Sequence, residues 1–327
     1  MGDHDEERMA EAMTAAAAVR TRTSPNPWVG AVVVTAGGEA HTGATEPPGG
    51  RHAEIVALDL AGDAAAGSTL YTTLEPCCHH GRTPPCTDRI VAAGVTRVVV
   101  AIEDPDAKVA GQGVAALRAA GIDVEVGVGA TAVRRQLAPY VKHRATGRPW
   151  VLLKLAASLD GRTAAPDGSS RWITGSAARA DAHRLRAESD AVIVGAGTVR
   201  ADDPALTVRD ADGDDPLRVV LGHAPAGARV HPCVELDGPL PDVLDELGRR
   251  DVVQVMVEGG ATVAGAFHRA KLVDHYVVYL APALFGGDDG RPLFAGEGAA
   301  TIDDVWRGRI TNVEHLGDDL KIELEPA

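Results

Sequence analysis

Apolar and polar positions along the chain predict an alternation of short buried strands and amphipathic helices. Residues 9–19 have an Ala-rich helical composition, and Val29-Gly-Ala-Val-Val-Val34 reads as a buried strand after a Pro-Asn-Pro turn. A helix opens near His52 and continues through residues 55–60, and residues 69–74 are a strand by their β-branched and aromatic content. Residues 87–93 form a helix closed by Gly94, and 98–101 a strand. Residues 113–120 form a helix capped by Gly121, and 124–128 a further strand. This order predicts a layered α/β sheet.

The pattern breaks at Arg144-Ala-Thr-Gly-Arg-Pro149, which reads as a linker dividing residues 1–147 from 148–327. Alternation then restarts, with strands at 150–157, 191–195, 217–221 and 252–257 and helices at 176–187, 241–250 and 261–272. Residues 274–280 and 320–324 are expected as late, antiparallel strands. A length of 327 residues agrees with two domains, at roughly 100–200 residues each.

Composition narrows the function classes. The chain is 45% hydrophobic, too apolar for disorder, and its four cysteines are too few for a disulfide scaffold. No uncharged apolar stretch is long enough to span a bilayer, and the acidic start lacks a secretory pattern, so a cytoplasmic protein is expected. A net charge of −14, no Lys/Arg run and 3% aromatic residues argue against a nucleic-acid partner and against a base deaminase acting on RNA. An anionic small molecule would have to be held by a few well-placed donors.

The first candidate chemistry is His52-Ala-Glu54 followed by Leu74-Glu-Pro-Cys-Cys-His-His-Gly-Arg-Thr-Pro-Pro-Cys86. A catalytic zinc takes three nitrogen or sulfur donors and keeps one position open. His52, Cys77 and Cys86 supply three, and Cys86 near a helix start would be a stabilised thiolate. Glu54, two residues from a ligand, is placed to relay a proton. The order H-x-E then P-C is that of zinc deaminases, where the Glu is acid/base and not a ligand. The alternative is a closed structural zinc site of Cys77, Cys78 and Cys86 with His79 or His80, which would have no use for Glu54. The spacing departs from P-C-x-x-C, since eight residues separate Cys77 from Cys86.

With that insertion, the stretch from Thr73 to Cys86 closely resembles the signature of the bifunctional deaminase/reductase (RibD/RibG) family of riboflavin biosynthesis. Asn26-Pro27, Asp104-Pro105 and Val109-Ala-Gly-Gln-Gly113 extend the likeness, which covers essentially the whole chain. The resemblance implies a cytidine-deaminase-like α/β/α layered sheet, zinc on His52, Cys77 and Cys86, and Glu54 as proton shuttle. It implies substrate contacts from Asn26, His79 and His80. The reaction would be hydrolytic removal of the ring amine from a diamino-pyrimidinone carrying a phosphoribosylamino group. Cys78 stands where the family usually has Ser, and Thr45 where many members have His.

The second half carries Lys154-Leu-Ala-Ala-Ser-Leu-Asp-Gly-Arg162, Ser170-Arg-Trp-Ile-Thr174, Gly195-Ala-Gly-Thr198, Ala201 to Arg209, and Val257-Glu-Gly-Gly-Ala-Thr-Val-Ala-Gly-Ala266. Glycines between a strand and a helix let backbone N–H groups approach a phosphate. A Gly-Gly pair there is equally a plain turn, and G-x-G-x-x-G is absent. The same segments resemble the family's reductase domain, which has a dihydrofolate-reductase-like α/β fold. That resemblance implies NADPH along Ala156, Trp172, Thr198, Asp202, Gly260, Ala261, Thr262, Val263, Ala264, Gly265 and Ala266. It implies a phosphosugar substrate on Lys154, Ser170, Arg186, Leu206, Arg209 and Glu258, with hydride passing to the sugar carbon and ribose opening to ribityl. Lys154 as a snorkelling strand lysine is the plainer alternative, and His223 departs from the Asp-Ser common after its strand. A homodimer or larger assembly through the C-terminal half is implied as well. The competing readings are a C-terminal half that binds substrate or dimerises without reducing, and a zinc-stabilised scaffold without catalysis.

Overall fold

Met9, Ala12 and Ala16 fall on one helical face and are buried, which sets α1 (Gly2–Ala17) against the sheet of the first unit. The computed structural model describes residues 2–79, 84–107, 109–209 and 211–327, and it divides into two units, Met1–Gly147 and Arg148–Ala327. After α1 the first unit continues with α2 (Arg20–Thr23), β1 (Gly30–Val34), β2 (Ala40–Ala44), α3 (Ala53–Ala61) and β3 (Thr69–Leu74). It is completed by α4 (Cys86–Ala92), β4 (Arg97–Ile102), α5 (Gln112–Ala119), β5 (Asp123–Val126), α6 (Ala130–Gln136) and α7 (Ala138–Thr146). The sheet order is β2-β1-β3-β4-β5, antiparallel on either side of β1 and parallel from β3 to β5. Val98, Val99 and Val100 of β4 are all buried, as a parallel strand covered on both faces requires.

Close packing of α3 on β2 positions the first site. A Cβ at Gly43 would stand 2.4 Å from the Ala53 carbonyl oxygen, so only glycine lets the start of α3 lie this near the strand. Several sequence expectations change here. The first helix begins at Gly2 instead of residue 9, and β2, α6 and α7 were not expected. Residues 144–149 are not linker throughout. Tyr140 and His143 bury the inner face of α7, which therefore runs to Thr146 and ends on left-handed Gly147.

The second unit comprises β6 (Trp150–Ser158), β7 (Arg162–Ala164), α8 (Ser176–Ala187), β8 (Ala191–Gly195), α9 (Ala196–Asp202), β9 (Leu217–Leu221) and β10 (Val234–Leu236). It ends with α10 (Leu240–Arg249), β11 (Gln254–Val257), α11 (Ala261–Arg269), β12 (His275–Ala281), β13 (Arg291–Pro292), β14 (Gly308–Leu316) and β15 (Asp319–Pro326). The main sheet has the order β10-β9-β8-β11-β6-β12-β15-β14, while β13 pairs with β7. One face packs Leu153, Ile193 and Val257 against Leu244 of α10 and Phe267 of α11. The other packs Met256 and Leu152 against Leu185 of α8, and Val192 against Val199 of α9.

The late strands are antiparallel to each other but not throughout: β12 runs parallel to β6, because α11 carries the chain across the sheet between β11 and β12. The chain thus leaves β8 over one face through α9 and leaves β11 over the other through α11. The carboxyl ends of these neighbouring strands flank a topological switch point, where open α/β sheets bind ligands. Among the described residues, no helix is long and apolar enough to cross a membrane.

Candidate active sites

In the first unit, His52 is the N-cap of α3, and Cys86 opens α4. Cys77 follows β3 and accepts the Cys86 backbone N–H on its sulfur at 3.3 Å, so a helix N-terminus faces this thiolate. His52 Nδ1 lies 3.2 Å from Cys86 Sγ and 3.5 Å from Cys77 Sγ. The three ligand atoms fall within 4.8 Å of one another. A tetrahedral zinc with its usual bond lengths requires nitrogen–sulfur edges of about 3.5 Å. The trio fits zinc.

Among the described residues no fourth His, Cys, Asp or Glu joins this group. Cys78 is outside it, and burial pushes its thiol up. The hydrogen bond with Cys86, reinforced by His52, holds the Cys77 thiol far below its ordinary range, and the pair's remaining proton is held on Cys86. His52 is raised to about 9, chiefly by its hydrogen bond to Cys77.

Glu54 stands in the first turn of α3, 4% exposed, and burial pushes its carboxyl up to about 7. It lines a cavity of about 370 Å³ together with His52, Cys77, Asn26 and His79. His80 lies outside the described residues. Thr45 also lines the cavity, but its hydroxyl is engaged with the Val29 backbone N–H at 3.2 Å. Sequence reasoning assigned no part to Glu75, Asp104, Tyr140 or Arg144, which share this lining. The available signal was Tyr140 and Arg144 one helical turn apart on α7.

In the second unit, Val257 of β11 pairs with Ile193 of β8, so β8 runs two residues beyond the end of β11. Glu258, Gly259 and Gly260 then turn into α11, and neither α9 nor α11 has a side-chain cap at its N-terminus. The Gly260 N–H donates to Thr198 Oγ1 at 3.1 Å, tying the two helix starts together. A Cβ at Gly259 would stand 2.5 Å from Val263 Cβ, so the turn is pressed onto the first turn of α11. Uncapped first-turn N–H groups beside a glycine turn at a switch point suit the phosphates of a dinucleotide. Ala261, Thr262 and Val263 form that turn, and Ala266 lies further along the helix, half-buried. Ala264 packs in the core and Gly265 against the Ala295 carbonyl, so these two face inward.

Beside the crevice, Arg186 Nε donates to Glu258 Oε1 at 2.8 Å, and Nη2 forms an ion pair with the same oxygen at 2.7 Å. Nη1 donates to the Thr207 carbonyl at 2.6 Å. Lys154 Nζ is 4.0 Å from Glu258 Oε2. Burial alone would raise Glu258, but the charges of Arg186 and Lys154 outweigh it and hold the carboxyl below its ordinary value. Lys154 is lowered by burial, with Arg186 adding to the effect. Arg209 is exposed, and its Nη1 donates to Thr207 Oγ1 at 3.3 Å. Leu206 is buried, Ala156 lies half-buried on β6, Ser170 is half-buried in a loop, and Asp202 is the exposed last residue of α9. Trp172 is 68% exposed, with the Arg179 guanidinium 4.6 Å from its ring centre. His223 is exposed beside Asp237.

Residues 149–322 match the family described as RibD C-terminal domain. The chain belongs to the RibD family. Residues 3–102 match the cytidine and deoxycytidylate deaminase zinc-binding region. The riboflavin biosynthesis protein RibD of Escherichia coli is 38% identical, across 98% of this chain and 99% of that protein. The solved structure of Acinetobacter baumannii RibD has a TM-score of 0.94 at 38% identity and covers 100% of both chains. A Thermotoga maritima structure described as a diaminohydroxyphosphoribosylaminopyrimidine deaminase/5-amino-6-(5-phosphoribosylamino)uracil reductase has a TM-score of 0.91 at 34% identity, covering 99% of each chain. This RibD chain is therefore a two-part enzyme of riboflavin biosynthesis, a zinc deaminase joined to an NADPH-dependent reductase.

Proposed function

We propose that residues 1–147 deaminate a diaminohydroxyphosphoribosylaminopyrimidine and that residues 148–327 reduce the resulting 5-amino-6-(5-phosphoribosylamino)uracil. The observation that carries this reading is the buried Glu54, raised to about 7, sharing a cavity with a three-donor corner. At about 370 Å³ the cavity falls in the range of roughly 300–1,000 Å³ usual for small-molecule sites.

His52, Cys77 and Cys86 are the residues that would hold zinc, which when bound supplies the Lewis acidity that makes a water nucleophilic near neutral pH. Glu54 moves the proton. With a value near 7 it accepts one from the attacking water and returns it to the departing amine, so one water is consumed and one ammonia released. Asn26 and His79, on the cavity lining, hold the ring and its phosphosugar, with His80 assigned to the same work.

In the second unit NADPH supplies hydride. Thr198 and the turn from Gly260 to Val263 hold its phosphates through backbone N–H groups, with Ala264, Gly265 and Ala266 supporting the turn from behind. Ala156, Trp172 and Asp202 are assigned to the remainder of the dinucleotide. Arg186 spends its donors on Glu258 and Thr207, so it fixes the carboxylate that accepts from the sugar, while exposed Arg209 takes the phosphate. Lys154 gives a proton to the ring oxygen as the sugar carbon receives hydride, and the ribosyl ring opens to ribityl. Ser170 and Leu206 flank the substrate.

A homodimer through the second unit completes the proposal. Its edge strand β14 leaves Ile310 57% and Val313 54% exposed, an unprotected edge of the kind that pairs with a second copy, and light scattering tests this. The cytoplasm, where thiols stay reduced, suits Cys77 and Cys86. The enzymatic test is a coupled assay on the pyrimidine substrate. Equal amounts of ammonia released and NADPH oxidised, with oxidation dependent on prior deamination, are expected. Ammonia release without NADPH oxidation would contradict the reductase half.

A further inference from the structure

The structure assigns Glu75 as a positioning residue for deamination: its buried carboxylate fixes the cavity wall around Asp104 and Val109 relative to Cys77. The side chain is 3% exposed and sits just past the end of β3, two residues before Cys77. Oε2 accepts the Asp104 N–H at 3.1 Å and the Gly111 N–H at 2.9 Å, while Oε1 accepts the Val114 N–H at 2.9 Å. The Glu75 N–H itself donates to the Ile102 carbonyl at 3.0 Å. One carboxylate thus ties the ends of β3 and β4 to the start of α5.

The placement is chemically apt. Gly111 is the N-cap of α5, and a negative charge at a helix N-terminus meets both unpaired N–H groups and the positive end of the dipole. The approach is also tight, since a Cβ at Gly113 would stand 2.1 Å from the Pro76 carbonyl oxygen. Asp104 in turn accepts the Asp106 N–H at 2.9 Å and the Tyr140 hydroxyl at 3.1 Å. Asp104, Asp106, Val109 and Tyr140 all line the cavity that Cys77 and Glu54 share. Substrate seated against this wall is therefore oriented through Glu75, which need not touch the reacting atoms.

This inference rests on the deaminase reading of the cavity, and its test separates the two. Glu75→Gln keeps one acceptor oxygen and turns an amide N–H towards a backbone N–H, and Glu75→Ala removes all three acceptances. The measurements are zinc content, kcat and KM for ammonia release, and NADPH oxidation with the deaminated uracil. Expected are a KM raised roughly tenfold in the Gln variant and further in the Ala variant, with kcat within about threefold of the parent. Zinc should stay at one per chain and the reductase rate should be unchanged. An unchanged KM would overturn the assignment, and so would a kcat falling in step with zinc loss, which would make Glu75 a support of the metal site. Should the Ala variant fail to fold, the Gln variant decides alone. An unsubstituted enzyme releasing no ammonia would instead defeat the reading of the cavity.

Discussion

Arg186 directs both Nε and Nη2 at a single carboxylate oxygen of Glu258, at 2.8 and 2.7 Å. The two side chains are 72 positions apart, brought together by α8 and the end of β11. The other Glu258 oxygen faces Lys154, so a largely buried carboxylate is kept ionised between two cations at the mouth of the switch-point crevice.

Replacing Glu258 by Gln should lower NADPH oxidation at least tenfold while ammonia release continues. It should also destabilise the second unit at neutral pH by about 3–5 kcal/mol, because buried Arg186 loses its counter-charge. The pH dependence follows from the sign of the shift. Glu258 lies below its ordinary 4.5 in the folded protein, so the pair's stabilisation is full above that value and is lost as pH falls through the lowered one. Urea unfolding of both proteins at neutral and strongly acidic pH should show the difference shrinking in acid. A constant difference would count against the pair.

Glu54→Gln should retain zinc yet lose ammonia release by roughly 10²–10⁴-fold, the scale of a missing proton shuttle. NADPH oxidation with the deaminated uracil should persist. Equal loss of both activities would indicate misfolding, and unaltered ammonia release would remove Glu54 from the chemistry.

Cys86→Ser exchanges a soft donor for a hydroxyl in a three-ligand corner. Metal analysis should find zinc well below one per chain, with ammonia release falling in proportion and the reductase unaffected. Added chelator should reproduce this in the parent enzyme.

Gly259→Ala places a methyl 2.5 Å from Val263 Cβ, a contact that the stiff β-branched side chain cannot relieve by rotation. The expected result is a strongly raised KM for NADPH, measured by initial rates, with ammonia release unchanged. An unaltered KM would take the dinucleotide away from this turn.

Local pattern carried much of the fold. Ala191-Val-Ile-Val-Gly195 is a short continuous apolar run of a fully buried strand, and β8 occupies just those residues. The strand β14 gave no such signal: Arg309, Asn312, Glu314 and His315 are exposed along an edge with little buried face. His52, Glu54, Cys77 and Cys86 were legible because donor type and local order carry zinc chemistry. Pairings made only by tertiary folding were not, such as Arg186 with Glu258, or Glu75 with Gly111 across 36 positions. The resemblance implied Arg186 as a contact of the phosphosugar, and only the fold reveals that its donors are already engaged.

Zinc-edge X-ray absorption of the purified enzyme addresses the open corner beside Glu54 most directly. Two sulfur scatterers near about 2.3 Å, one imidazole and one further light atom are predicted, since His52, Cys77 and Cys86 leave one place for water. Three sulfurs, or two imidazoles, would close that place with protein and contradict the account.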